Sequence, residues 1–320
     1  MIDIEVGEKY NAYKEKFSAY YEHNLKPILK KNDTERRRYV LFFVVLLLMS
    51  LVFYPMLIYY IMQQDFTQNN SEVGVVLGLS CLVVLLLSGP IYIYKTKVKP
   101  DIMPEFARFF GDFSYQYESR LPDKLLQDSL LFGKYNKHTG DDFFCGTYND
   151  VNITISEEHL LKLKKDFRNL DIKQNVFRGV CVLLEMNKNF TGRTIVLEDK
   201  GWMNIFNQVS NLQNVKLEDS RFEKYFEVYS DDQVESRYLL TTAFMERILK
   251  LRDLYEGKSI QFCFENNTLL IAIPTRQNMF EANSFFSSNL NKAKIDLVFD
   301  QFYTIFSIVD VLRLNQRIGM

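Results

Sequence analysis

Two long uncharged apolar segments constrain the fold more than any other feature of this sequence. The first, YVLFFVVLLLMSLVFYPMLIYYIM, runs from Tyr39 to Met62, and the second, VGVVLGLSCLVVLLLSGPIYIY, runs from Val73 to Tyr94. An uncharged apolar run of about 18 or more residues is long enough to cross a hydrocarbon core of roughly 30 Å as a helix. We therefore expect two transmembrane helices, residues 39–62 and 73–94, joined by an external loop, residues 63–72. A buried hydrophobic hairpin in a soluble protein is the alternative.

Positive charge flanks these segments on one side. Lys and Arg residues precede the first segment and follow the second, whereas residues 63–72 contain neither type. Because cytoplasmic flanks carry an excess of Lys and Arg, both termini are predicted to lie in the cytoplasm. The membrane-proximal basic residues are Arg36, Arg37, Arg38, Lys95, Lys97 and Lys99.

Inside the second segment, Gly74 and Gly78 form a G-x-x-x-G pair. Glycines at this spacing let two helices approach closely, so the pair either packs the two spans of one chain together or mediates self-association. Neither segment contains an ionisable Asp, Glu, Lys, Arg or His. This argues against a proton or ion path through the hairpin.

The amino-terminal segment, residues 1–38, is predicted to be a cytoplasmic amphipathic helix. Aromatic and apolar residues recur every three or four positions between residues 9 and 29, as on one face of a helix. This stripe either packs on the cytoplasmic domain or lies on the inner membrane surface.

Charge and cysteine usage exclude several classes of function. Residues 100–320 contain 27 Lys and Arg against 31 Asp and Glu, a net charge of −4, which argues against a nucleic-acid partner. The four cysteines form no C-x-x-C pair, which suits a reducing compartment and argues against a structural zinc site. No phosphate-binding loop, dinucleotide fingerprint or nucleophile motif occurs, so no catalytic residue, metal or cofactor is predicted.

Residues 95–320 are predicted to form a cytoplasmic α+β domain. Apolar runs surround Asn149-Asp150, Asn187-Lys188-Asn189 and Asn266-Asn267, a pattern typical of three β-hairpins. YFEVYS, residues 225–230, adds a seventh strand. Strands joined mostly as neighbours favour an antiparallel sheet with helices over one face. A seven-stranded sheet followed by a long helix also invites comparison with pleckstrin-homology-like folds.

Outside the acidic stretch, four helical segments are predicted around these strands. One follows Pro104 within DIMPEFARFFGDFSYQY, and one starts at a Ser156 cap with Glu157 and Glu158 in its first turn. GWMNIFNQV, residues 201–209, is a short helix, and AKIDLVFDQFYTIFSIVDVLRLNQ, residues 293–316, is a long closing helix.

The acidic stretch FEVYSDDQVESR, residues 226–237, is the candidate functional strip. Ser230 and Gln233 have the spacing of a capping box, which places Asp231 and Asp232 in the first turn of a helix. Carboxylates there are favourable by roughly 0.3–1 kcal/mol each beside the positive end of the helix dipole. Thr241 is predicted to cap a second helix. The alternatives are an acid/base or metal site and a protein-docking surface, whose candidate residues are Glu227, Asp231, Asp232, Glu235 and Arg237.

Three stretches together resemble a bacterial family of membrane proteins with a domain of unknown function: VFRGVCVLLEMNKNFTGRTIVLED, LEDSRFEKYFEVYSDDQVESRYLLTTAFMERILKL and LLIAIPTRQNMFEA. The family has Pro more often at the position of Thr242, which fits the first position of a helix. The resemblance implies two closely spaced spans in the bacterial inner membrane, a cytoplasmic domain and an association with LemA-type membrane proteins. It implies no reaction and no cofactor.

Three functions are compatible with these observations. The favoured one is a non-catalytic interaction, scaffold or regulatory module, anchored in the lipid bilayer and bound to a protein partner or to a second copy. A membrane-tethered hydrolase or ligand sensor using Asp231, Asp232 and Arg237 is the second. An oligomerising, membrane-perturbing effector is the third.

Overall fold

The computed structural model describes residues 2–62, 70–165, 171–199, 211–257, 259–282 and 284–314. The chain divides into two compact units. The first comprises Met1–Glu105 and Ala282–Asp296, and the second comprises Phe106–Glu281 and Leu297–Met320.

Long helices make up most of the first unit. Helix α1 (Ile2–Tyr20) passes through one π-helical turn (Tyr21–Leu25) into α2 (Lys26–Met62), and α3 spans Asn70–Arg108. Two helical stretches, within Glu8–Tyr59 and Gly78–Arg108, are long and apolar enough to cross a membrane. The helical character predicted for residues 39–62 and 73–94 is therefore confirmed over their described parts.

The amino-terminal helix carries the predicted apolar stripe. Phe17, Leu25 and Leu29 are buried, and the Tyr20 hydroxyl donates a hydrogen bond of 2.6 Å to Glu105 of α3. Within the first unit, this end of the chain is thus tied to the helix that carries the second apolar segment.

The second unit is built on a nine-stranded antiparallel sheet, with strand order β1-β2-β3-β4-β9-β8-β5-β7-β6. The strands are β1 (Asp112–Tyr117), β2 (Lys137–Tyr148), β3 (Val151–Lys165), β4 (Asp171–Glu185), β5 (Thr194–Glu198), β6 (Gln213–Val215), β7 (Phe226–Ser230), β8 (Gln261–Glu265) and β9 (Thr268–Pro274). The helices are α4 (Asp123–Asp128), α5 (Ser220–Glu223), α6 (Gln233–Leu239), α7 (Thr242–Leu254) and α8 (Lys292–Leu312).

Both faces of the central strands are buried. Cys181, Leu270 and Ala272 belong to one apolar cluster with Leu126 of α4 and the following Leu131 and Phe132. Their chain neighbours, which point to the opposite face, are buried too. On β1 and β2, α8 packs through aromatic rings, including Phe302 on Phe144 and Phe306 on Phe113. The predicted arrangement, with helices over one face, is therefore wrong.

The α+β class, the antiparallel sheet and the long closing helix α8 are confirmed, as are two of the three hairpins. β2–β3 turns at Asn149-Asp150 and β8–β9 at Asn266-Asn267, with positive φ at both residues of each turn. This backbone matches the twist of paired strands, and Asn and Asp tolerate it.

Two local predictions are wrong, the first of them in part. Residues 112–117 form β1 rather than a helix, because α3 ends before Gly111 and the chain then pairs with β2. A Cβ at Gly111 would lie 2.6 Å from the Thr147 carbonyl, so only glycine fits this close approach. The predicted helix after Ser156 is the middle of β3, which pairs with β2 on one side and β4 on the other. Ladder pairing on both sides overrides the local helix signal. The helix predicted after Pro104 is present only as far as Arg108, where α3 ends.

The third predicted hairpin is also wrong. β4 pairs with β3 and β9, while β5 pairs with β7 and β8, so residues 186–193 connect strands that are not neighbours. The nine strands exceed the seven on which the comparison with pleckstrin-homology-like folds was based. The helix predicted at residues 201–209 lies outside the described residues.

Candidate functional site

The predicted acidic strip lies where β7 leads into α6. Asp232, not Ser230, is the N-cap: its carboxylate accepts hydrogen bonds from the backbone N–H groups of Val234 (2.9 Å) and Glu235 (3.0 Å). Ser230 instead donates to the Arg193 carbonyl. The predicted capping box is therefore wrong in its first residue, because the Ser230 hydroxyl is used between the strands. Thr241 caps α7 as predicted, accepting from the Phe244 N–H.

Two further carboxylates of the strip bind a distant loop. Glu235 accepts hydrogen bonds from the backbone N–H groups of Thr191 (3.1 Å) and Gly192 (2.7 Å), and Asp231 accepts one from Arg193 (2.8 Å). A Cβ at Gly192 would lie 2.5 Å from the Glu235 carboxylate and 2.9 Å from that of Asp231. Asp231, Asp232 and Glu235 thus meet around Gly192, and the loop can approach them because it has no side chain there.

The other two residues of the strip make separate contacts. Glu227 accepts a hydrogen bond of 3.0 Å from the Tyr229 hydroxyl, and Arg237 donates to the backbone carbonyl of Gln233 at 3.2 Å. Burial, followed by the bond to Glu227, raises the pKa of Tyr229 to about 12. These contacts do not bring Arg237 to the carboxylate group, so they give no support to a hydrolytic site shared by Asp231, Asp232 and Arg237.

Helix α6 presents an exposed apolar pair that the sequence analysis did not single out. Val234 is 79% exposed and Tyr238 is 54% exposed. They are four residues apart and therefore share one face of the helix. Sequence inspection missed this pair because the seven residues of α6 mix polar and apolar types. The sequence alone does not show which of its apolar side chains are exposed.

The membrane-proximal basic residues differ in exposure. Arg37 and Arg38 are exposed, and exposed Lys97 pairs with Glu35 at 2.8 Å. Arg36 is half-buried, whereas Lys99 is only 4% exposed and so presents little charge to solvent or lipid. Neither the side chain of Lys95 nor the surroundings of Gly74 are among the described parts of the structure. Among the described residues, none has an atom within 4 Å of a Cβ added at Gly78, and the role of Gly74 and Gly78 in helix packing stays a prediction.

A carboxylate cluster lies at a β-bulge between β2 and β3. The register shifts so that Asp141 and Asp142 together oppose Glu157, and their carboxylate oxygens lie within 4.8 Å of one another. Bulges redirect side chains in this way and are common beside functional sites. Asp142 accepts a hydrogen bond from Tyr115 (2.7 Å) and Glu157 accepts one from the Met279 N–H (3.1 Å).

This cluster borders a polar cleft of about 340 Å³, which Asp141, Glu157 and Arg178 help to line. Oxygen ligands of this kind could hold a hard divalent cation such as Mg²⁺ or Ca²⁺. An acidic cluster does not by itself establish a metal site, and the sequence-based expectation of no metal stays a prediction. The signal that could have located the cluster is the Asp-Asp pair inside the strand KHTGDDFFCGTY.

A buried histidine joins α4 to the sheet. His138, whose side chain is 2% exposed, contacts Asp123 through Nδ1 at 2.7 Å and Glu158 through Nε2 at 2.5 Å. Burial lowers the pKa of His138, but the hydrogen bond and charge of Glu158, with the bond to Asp123, outweigh it and raise the pKa overall. Glu158 also accepts a hydrogen bond from the Leu121 N–H. The partners are 15 and 20 residues away along the chain, so inspection of spacing did not reveal the group.

These features define an α+β protein with two helices long and apolar enough to span a membrane. A family model described as protein of unknown function (DUF3137) matches residues 175–314. The match supports the resemblance to an uncharacterised family, while the association with LemA-type proteins stays a prediction.

Two further comparisons concern whole proteins. No curated protein gives a significant match to the chain. The crystal structure of the mycobacterial trehalose monomycolate transport factor A is similar over 67% of this chain and 96% of that chain, with 15% sequence identity and a TM-score of 0.34. That score is too low to establish a shared fold, and the transport role belongs to that protein alone.

The first prediction concerns the Asp232 cap. We expect Asp232→Ala to lower the free energy of unfolding by about 0.5–2 kcal/mol, because two N–H groups lose their acceptor. Urea unfolding of the purified full-length protein in detergent, followed by circular dichroism, measures the change. Glu246→Ala is the control: it breaks only an exposed pair with Lys250, so the free energy should change by less than about 0.5 kcal/mol. Equal effects of the two variants would contradict the assignment of Asp232 as the cap.

The second prediction concerns pH. Because the pKa of His138 is raised in the folded state, its contribution to stability is fully present below the unfolded value of about 6.5 and is lost as pH rises through the folded pKa. The difference in unfolding free energy between wild type and His138→Gln should therefore shrink with rising pH across that range. Val234→Ala, at an exposed position without a titratable group, provides the control and should leave the pH profile unchanged. A pH-independent difference for His138→Gln would refute the charged pairing.

Proposed function

We propose that the chain is a membrane-anchored interaction module, held in the bacterial cytoplasmic membrane by α2 and α3, and that it acts by docking rather than by catalysis. The observation that carries this proposal is the apolar surface of the two helices. Between residues 41 and 59 and between residues 82 and 93, large apolar side chains are exposed around the helices, including Leu41, Met49 and Leu85. Exposed apolar area of this extent is unfavourable in water and is expected of helices that face lipid.

The proposed orientation places both termini in the cytoplasm. Exposed positive charge lies just before the apolar segment of α2, at Arg37 and Arg38, and just after the apolar segment of α3, at Lys97. The predicted external loop, residues 63–72, has no Lys or Arg. Retention of positive flanks in the cytoplasm favours this orientation over its inverse.

The docking role is proposed for the surface of α6. Val234 and Tyr238 supply exposed apolar contact area, and Asp231 and Arg237 supply charge of both signs beside it. The carboxylate bonds to residues 191–193 fix this helix to the loop that leads into β5, so little ordering cost remains for binding. A protein with a complementary apolar and charged patch is the proposed partner, and a second copy of the chain is the alternative.

The proposed orientation predicts the accessibility of a native cysteine. Cys145 is exposed on β2, so a membrane-impermeant maleimide should label it only after spheroplasts are permeabilised. In a Cys145→Ser background, Asn69→Cys should be labelled in intact spheroplasts, because the loop is predicted to lie outside. Labelling of Cys145 at the same rate before and after permeabilisation would contradict the orientation.

The docking proposal predicts a position-specific cross-link. A photo-cross-linking amino acid at Val234 of the full-length protein in its native membrane should give a defined adduct, and Arg237→Glu should reduce its yield several-fold. Glu256, exposed after α7, is the control position and should give no such adduct. An adduct between two copies would identify the partner as the chain itself. Equal products at Val234 and Glu256, or none, would refute docking through α6.

A further inference from the structure

A segment far in sequence from α2 and α3 is held by hydrogen bonds from both helices, an arrangement that we call the clamp. Residues 284–290 belong to the same compact unit as α2 and most of α3. The carboxylate of Asp33 accepts a hydrogen bond from the Asn289 N–H at 3.0 Å, and the Tyr94 hydroxyl donates to the Asn289 side chain at 2.7 Å. Arg36 donates to the Phe285 carbonyl at 3.2 Å. Groups from both helices thus hold the segment at two residues.

The charge at the centre of this clamp is well compensated. Asp33 is buried and also accepts hydrogen bonds from Arg36 (2.8 Å) and Arg37 (3.2 Å). Burial raises the pKa of Asp33, but the bond from Arg36, the Asn289 N–H and the charge of Arg36 outweigh it and lower the pKa overall. The carboxylate is therefore ionised at neutral pH, and a buried ionised group is tolerated when it is paired and hydrogen-bonded in this way.

The clamp presents one aromatic ring to the outside. Phe285 is buried, with its ring centroid 5.8 Å from that of Phe43 and 5.6 Å from that of Tyr94. Its neighbour Phe286 is 70% exposed, although its centroid lies only 5.9 Å from that of Phe43. An exposed large aromatic side chain on a segment fixed by buried hydrogen bonds indicates a contact surface.

The position of Phe43 along α2 indicates which environment this contact surface faces. Phe43 lies five residues after Arg38, which is about 7.5 Å along the helix axis. It therefore lies within the apolar segment, beyond the membrane-proximal basic residues of α2. Leu41 and Phe42 in the same turn are exposed as well. The exposed face of Phe286 is therefore continuous with the apolar surface of α2, just beyond the membrane-proximal basic residues.

We propose that Phe286, held in place by the buried Phe285, forms a third membrane-contacting element and inserts at the boundary between acyl chains and headgroups of the cytoplasmic leaflet. The exposed Arg37 and Arg38 then meet anionic headgroups beside it. This inference rests on the proposed membrane anchor and extends it, since it adds a lipid contact outside the two apolar helices.

The test places an environment-sensitive fluorophore on three variants of the full-length protein, each with one accessible cysteine. The background carries Cys81→Ser and Cys145→Ser, because these two native cysteines are exposed while Cys181 and Cys263 are buried. Phe286→Cys is compared with Met49→Cys, exposed within the apolar part of α2, and with Val234→Cys, exposed on α6. The proteins are reconstituted in vesicles of phosphatidylcholine and phosphatidylglycerol, with bromine on the acyl chains near the headgroup or near the bilayer centre.

We expect the Phe286→Cys label to be quenched several-fold more than the Val234→Cys label, and more by shallow than by deep bromine. Quenching at Met49→Cys with none at Phe286→Cys would overturn this inference and leave the membrane anchor standing. Quenching at neither position would refute the anchor itself.

A second measurement guards against an effect of the label. In a Trp202→Phe background, Phe286→Trp provides the single tryptophan of the chain. Its emission should be quenched by shallow brominated lipid, and emission that is indifferent to brominated lipid would contradict the proposal.

Discussion

The exposed apolar surface of α2 and α3 is the constraint on which the rest of this structure depends. Side chains such as Leu48, Leu51 and Leu85 are exposed along more than one helical face, so the described chain cannot cover them by its own packing. Each square ångström of apolar surface left in water costs about 25 cal/mol, and a lipid environment removes that cost. The basic residues at one end of the apolar segments and the aromatic Phe285–Phe286 contact beside them follow from the same requirement.

Carboxylates that accept backbone N–H groups of distant loops recur through the protein. In the first unit Asp33 holds Asn289, and in the second Glu158 holds Leu121, Glu157 holds Met279, and Glu235 with Asp231 holds residues 191–193. Hydrogen bonds with an ionised acceptor are roughly twice as strong as neutral ones, so each adds a strong polar attachment between a loop and the element that carries the carboxylate. The acidic residues of the candidate functional strip, which first suggested a catalytic or metal site, therefore have a structural role. They hold α6, whose exposed face is the proposed docking surface.

The sequence predicted features whose signals are local. The apolar segments, the turns at Asn149-Asp150 and Asn266-Asn267, the Thr241 cap and the periodic α8 need no knowledge of the rest of the chain. Features set by strand pairing were missed. Glu157, Glu158 and His159 lie in strand β3 because β2 and β4 flank it. β4 pairs with β9, which lies about 90 residues further along the sequence. The same reason hid the His138 group, the Asp141–Asp142–Glu157 cluster and the clamp at Asn289. The Asp231 and Asp232 pair was located correctly near a helix start, but the loop partner of Asp231, Arg193, lies 38 residues away in sequence.

Extraction of membranes with alkaline carbonate tests the central claim most directly, because it removes peripheral proteins and leaves those that cross the bilayer. We predict that the full-length chain stays in the membrane pellet and is released only by detergent. Release into the carbonate supernatant would contradict the account, since the apolar surface of α2 and α3 would then have to be covered by protein rather than lipid.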